Sequence, residues 1–121
     1  MIMSHPKIKI SLRRLKSKRV LDQLFDSGQI IRSRNLLLRY QLIETVPAFY
    51  VGVSVSKRNF KKAVDRNRIK RQLREGLREA DSQNFFYGNC MLIFTGKKAS
   101  ETMVLKEEIS ALFNKMKPDS F

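Results

Sequence analysis

The clearest alternation in the chain runs from Phe49 to Val55. Phe49, Val51, Val53 and Val55 fall on one side and Tyr50, Gly52 and Ser54 on the other, a period of two that predicts a strand. Before it, Leu36, Leu38, Tyr40 and Leu42 alternate with Leu37, Arg39, Gln41 and Ile43, a strand with a largely apolar second face. Gln29–Arg34 ahead of it reads either as a separate strand or as part of one bent strand, and Thr45 and Pro47 break the pattern after it. Cys90–Thr95 is almost wholly apolar, as in a central strand. Three segments show a helical period instead. In Lys16–Ser27 the apolar positions are Val20, Leu21, Leu24 and Phe25, and Gly28 closes the segment. In the second, Ile69, Leu73, Leu77 and Ala80 share one face. In the last, Leu105, Ile109, Leu112, Phe113 and Met116 do so, with Ser100 or Thr102 as cap, Glu101 in the first turn and Pro118 at the end. Asp81–Asn89 reads as a polar loop. The order helix, two or three strands, helix, strand, helix predicts an α+β sandwich, one sheet with helices against it.

A length of 121 residues fits one domain, 1–121, in which residues 1–11, basic and carrying Pro6, read as a loose arm. Charge changes the picture more than length does. Twenty-five basic residues against eleven acidic give +14, a self-repulsion that a polyanionic partner relieves. No apolar run approaches the length of a membrane span, and the N-terminus lacks a secretory apolar block, so a cytoplasmic protein without a membrane partner is expected. The single cysteine, Cys90, cannot form an internal disulfide and reads as a buried strand position.

The cations concentrate in Lys7–Arg19, in Lys57–Arg78 and at Lys97-Lys98. From Lys57 to Arg78 there are ten Lys or Arg and two acids, Asp65 and Glu75. Asn67, Arg71, Arg74 and Arg78 recur on the helix face opposite Ile69 and Leu73, so one side enters a core while the other presents guanidiniums, the forked donors suited to phosphate. A solvated basic face is the alternative, but the balancing acids such a face usually carries are scarce here. Flat groups able to stack on bases are Phe25, Tyr40, Tyr50, Phe60, Phe85, Phe86 and Tyr87, although most aromatics serve a core. A catalytic set is not found. The one histidine, His5, lies in the arm, Asp22 and Asp26 read as solvated carboxylates, and neither a zinc set nor a phosphate-cradling Gly-rich motif occurs. No catalytic residue, protein-bound metal or small-molecule substrate is expected. Composition alone favours a ribosomal or general RNA-binding or chaperone protein.

The stretch SVSKRNFKKAVDRNRIKRQLRE, Ser54–Glu75, resembles the signature segment of the bacterial ribonuclease P protein family. The pattern is a strand ending in Ser-Lys, a basic loop, then Arg-Asn-Arg-hydrophobic-Lys-Arg and a further Arg. Arg19–Gly28 is similar to the family's first helix and LLLRYQL to its next strand, so the resemblance covers all but the first few residues. It implies a ribosomal-protein-like α-β-β-β-α-β-α sandwich with a left-handed β-α-β crossover through the basic helix. It implies the protein subunit of the endonuclease that removes the 5′ leader of precursor tRNA. The partners implied are the catalytic RNA and precursor tRNA, with Mg2+ held mainly by the RNA. Lys57, Arg58, Lys61, Lys62, Arg66, Asn67, Arg68, Lys70, Arg71, Arg74 and Arg78 are the implied contacts to the RNA subunit. Arg13, Arg14, Leu21, Phe25, Leu36 and Tyr40 are the implied lining of a cleft for the leader. Asn67 suits either an RNA contact or a tie between helix and loop. Leu21 and Leu36 stand where the family often has aromatics.

Overall fold

The computed structural model describes residues 12–43, 48–80 and 87–115. The arm at residues 1–11, Thr45, Pro47, most of the polar loop, Met116 and Pro118 therefore lie outside the described residues. The elements are β1 (Leu12–Arg14), α1 (Lys18–Ser27), β2 (Gln29–Arg32), β3 (Leu36–Leu42), β4 (Phe49–Val55), α2 (Ala63–Glu79), β5 (Gly88–Phe94) and α3 (Thr102–Lys115). The order after β1 is the expected one. Glu101 falls just ahead of α3 rather than in its first turn.

The five strands form one sheet in the order β1-β4-β5-β3-β2. β4 and β5 are parallel neighbours joined through α2, whereas β3 is antiparallel to both β5 and β2. The turn at Ser33–Asn35 makes β2 and β3 separate strands. Glu108 of α3 holds it, accepting from the Asn35 N–H at 2.7 Å, from Asn35 Nδ2 at 3.1 Å and from the Ser33 hydroxyl. The edge strand β1 was not expected. Only Leu12 of its three residues is apolar, and its extended form comes from parallel pairing with Phe49–Val51 of β4. α1 starts two residues later than the pattern suggested, at Lys18, where Ser17 Oγ accepts from the Val20 N–H at 3.3 Å as an N-cap.

Helices cover both faces of the sheet. On one, Leu36, Leu38, Tyr40, Phe49, Val51, Val55, Cys90, Leu92 and Phe94 meet Ile69, Leu73 and Leu77 of α2 and Leu105, Ile109, Leu112 and Phe113 of α3. α2 and α3 pack closely at the buried Gly76, where a Cβ would stand 2.5 Å from Ile109 Cδ1. Gln72 Nε2 fastens the two helices further, donating to the Ser100 carbonyl and to Thr102 Oγ1, both at 3.0 Å. On the opposite face, α1 lies across β3 and β5 and buries Leu24.

Candidate nucleic-acid interface

The helical period of α2 sorts its side chains as the sequence suggested. Ile69, Leu73, Leu77 and Ala80 are buried, and Asn67, Arg71, Arg74 and Arg78 are exposed. The acids are sorted too. Glu75 and Glu79 sit toward α3, where the Lys106 ammonium lies 3.6 and 2.7 Å from them. That contact, the Glu79 hydrogen bond first, raises the Lys106 pKa. Asp65 occupies the first turn and Arg78 the last, matching the helix dipole. The other flank of α2, facing β1, is left with cations alone. Here Arg14 joins Asn67, Lys70, Arg71, Arg74 and Arg78 around an open groove of about 420 Å³. A groove with five cations and no carboxylate favours a strongly anionic ligand such as a phosphate backbone.

The loop leading into α2 presents Lys57, Arg58, Lys61 and Lys62 to solvent, and Arg68 is exposed on the helix itself. Arg66 is placed differently. Its Nη1 donates to the carbonyls of Phe60 and Lys61 at 2.8 and 2.9 Å, so this guanidinium braces the basic loop against the helix start. Phe60 is partly buried and packs on Phe94 with ring centroids 5.8 Å apart, which makes it a core residue and not a stacking platform. Lys97 and Lys98 are exposed beyond β5, and Lys16, Lys18 and Arg19 are exposed around the start of α1.

A second candidate surface lies where α1 meets its face of the sheet. Phe25 is 50% exposed there. The guanidinium carbon of Arg39 sits 4.9 Å from its ring centroid, and Arg39 Nη1 donates to the Phe25 carbonyl at 3.3 Å. A half-exposed ring with a cation on it is a usable platform for an unpaired base. Arg39 is the site residue that the sequence reading passed over. The signal was the polar pair Arg39 and Gln41 at alternate positions of β3, on the less apolar side of the strand.

Two expected members of the leader cleft are corrected by the strand registers. Leu36 pairs with Phe94 and Tyr40 with Cys90, placing both in the core under α2 and α3, on the sheet face away from Phe25. Tyr40 is 8% exposed, and burial raises its pKa. Successive residues of β1 point to opposite faces, so Arg13 turns to the α1 side with Leu21, while Arg14 turns to the α2 groove and also borders the cavity that Arg13 and Leu21 line. Tyr50 is half-buried on the α1 side. Phe85 and Phe86 lie outside the described residues.

Cys90 is fully buried at the centre of the sheet, and burial pushes its thiol well above the usual range, which withdraws it from nucleophilic chemistry. Asp22 and Asp26 are exposed on α1. Among the described residues, no three His, Cys, Asp or Glu side chains converge as metal ligands, and no helix is long and apolar enough to cross a membrane.

Comparison with known proteins adds to this geometry. The family model for Ribonuclease P matches residues 11–117. A ribonuclease P protein component of Streptococcus thermophilus is 43% identical over 70 residues, 58% of this chain and 61% of that protein. One from Idiomarina loihiensis is 35% identical over 66 residues, 54% of this chain and 53% of the other. The match to the first of these relatives thus spans only 61% of its length. Among solved structures, an RNase P protein of Staphylococcus aureus superposes with a TM-score of 0.75 at 22% identity, covering 86% of this chain and 94% of that one. The RNase P protein of Thermotoga maritima gives 0.72 at 19% identity, over 85% and 96%. These two likenesses establish a shared fold.

Proposed function

The chain belongs to the ribonuclease P protein family, and from that premise we propose that it serves as the RNA-binding protein subunit of a ribonuclease P ribonucleoprotein. In this reading it binds the catalytic RNA and the 5′ leader of precursor tRNA and promotes endonucleolytic removal of the leader. The observation that carries the reading is the sorted charge of α2. Asn67, Arg71, Arg74 and Arg78 are exposed along one groove with Arg14, while Glu75 and Glu79 are turned to Lys106 on the other side.

The α2 groove and the Lys57–Lys62 loop are assigned to the RNA subunit. Their cations neutralise phosphates and fix orientation without reading sequence. The exposed side of α1 is assigned to the unpaired leader, where Phe25 offers a ring face and Arg39 a charge beside it. Cleavage is assigned to the RNA subunit, and magnesium with it. Among the described residues no three His, Cys, Asp or Glu side chains converge as a ligand set, which is consistent with that assignment.

Reconstitution tests the proposal. The protein is incubated with precursor tRNA and magnesium, with and without a bacterial ribonuclease P RNA. Stimulated cleavage at the mature 5′ end only when the RNA subunit is present is expected. Leader removal by RNA-free protein would overturn the division of labour. RNA binding with no effect on processing would instead favour a ribosomal or general chaperone role.

A further inference from the structure

The acid-bearing flank of α2 carries a groove that the proposed function leaves unused. It runs between α2 and α3 on their outer side, encloses about 500 Å³ and follows one face of α3 from Met103 to Asn114. Gly76 and Ala111 line it, small residues that leave room between the two helices. Met103 at one end is 65% exposed, a large apolar side chain open to a partner. Glu79 and Glu107 stand on the rim. The nearby cation, Lys106, is shared between Glu75 and Glu79, so three carboxylates here meet one ammonium. On a chain of net charge +14, this flank repels RNA and suits a cationic, partly apolar segment.

We propose that this groove is the docking site of the chain's own N-terminal arm, residues 1–11. The arm lies outside the described residues, but the point where it joins the domain is fixed. Leu12 pairs with Phe49 in the sheet, and the Phe49 ring meets Phe113 of α3 with centroids 5.8 Å apart. Leu12 also lines a cavity with Leu77 and Arg78 of α2. The arm therefore meets the sheet at the end where α2 and α3 both finish, close to the groove residues Glu79 and Asn114. Eleven extended residues reach roughly 36 Å, whereas the stretch of α3 from Met103 to Asn114 is about 17 Å long. Half of the arm is enough to round the end of α2, and the rest to lie along α3. The arm's composition fits as well. Lys7 and Lys9 alternate with Ile8 and Ile10, and no acid accompanies them. Extended, such a segment turns its isoleucines to the apolar floor and its ammoniums to Glu79 and Glu107 on the rim. Residues 116–121 start as near, but Asp119 cancels Lys117 there. Docked in this way, Lys7 and Lys9 are held on the flank away from the α2 cations instead of being offered to RNA.

The test places a nitroxide spin label on the arm of the full-length protein and reads amide signals by nuclear magnetic resonance. Ser4→Cys supplies the attachment point, since the native Cys90 is buried. The signals of Gly76, Ala111 and Asn114 are expected to lose intensity, while those of Leu24 and Phe25 on the opposite face of the sheet keep theirs. Glu107→Lys, at an exposed position, reverses one rim charge. It is expected to weaken docking roughly two- to fivefold, the scale of one exposed ion pair, and so to return part of the lost intensity. No loss at Gly76 and Ala111, or a loss centred on Arg71 and Arg74 instead, overturns the proposal. A mixture of spin-labelled protein with isotope-labelled protein that lacks the nitroxide checks whose arm is bound. Intensity loss in that mixture would make a second copy's arm the occupant and overturn docking within one chain. None of these readings requires RNA, so the proposal stands or falls apart from the function assigned above.

Discussion

Phe25→Ala separates a base platform from a core residue. A fully buried Phe costs about 3–5 kcal/mol when truncated to Ala. Phe25 is 50% exposed, so about half of that loss applies. Removing the ring also removes the Arg39 contact at 4.9 Å, worth about 0.5–1 kcal/mol, and Ala regains roughly half a kcal/mol through its higher helix propensity. The net expectation is about 2 kcal/mol, a melting temperature lower by roughly 5–10 °C for a domain of this size. The effect on substrate should be larger in proportion. One lost stacked base is worth about 1–3 kcal/mol, or roughly 5- to 150-fold in affinity. The assay is the affinity of reconstituted enzyme for precursor tRNA divided by that for mature tRNA, which lacks the leader. Phe25→Ala should lower that ratio by such a factor and leave binding of mature tRNA intact. An unchanged ratio, accompanied by the melting loss of a fully buried Phe, would refute the platform.

Three further outcomes follow from the packing. Arg71→Ala and Arg74→Ala should leave the melting temperature nearly unchanged and each reduce the salt slope of RNA binding by roughly one unit, whereas Ile69→Ala should cost about 2–5 kcal/mol of stability; the reverse ranking in thermal melts and salt titrations would reject the faces of α2. Glu108→Ala leaves the Asn35 N–H and the Ser33 hydroxyl without their carboxylate, for an expected loss of about 1–3 kcal/mol in urea denaturation. Cys90, buried with its thiol pKa pushed up, should resist thiol reagents in the native protein and react on unfolding; rapid native labelling would contradict its placement.

How much of this was legible in the sequence depended on whether a pattern was local. α2 was readable because its period of 3.6 separates Ile69 and Leu73 from Arg71 and Arg74 without help from the rest of the fold. β4 was readable for the same reason with a period of two. β3 was recognisable as a strand, but not for which residues face which helix. Leu36, Leu37 and Leu38 are all buried because both faces of the sheet are covered, so alternation alone does not label the sides. That one-residue ambiguity moved Leu36 and Tyr40 into the wrong layer and hid Arg39. β1 was not readable at all, since its partner lies more than thirty residues away in sequence and two of its three residues are arginines. The bracing role of Arg66 was equally hidden, because a guanidinium bound to two carbonyls looks the same in sequence as one free to meet phosphate.

The placement of Glu75 and Glu79 against Lys106 has a kinetic consequence. It leaves the cations of α2 concentrated on one side of a domain with a net charge of +14, so the molecule carries a directional field as well as an excess of charge. A polyanion acts on that asymmetry at a distance, turning the domain groove-first during diffusional approach and lessening the search over orientations. The reach of this effect is about one Debye length, roughly 8 Å at physiological salt. Reversing the asymmetry by moving two carboxylates to the groove side would slow encounter most at low ionic strength, even where every contact of the final complex could still form.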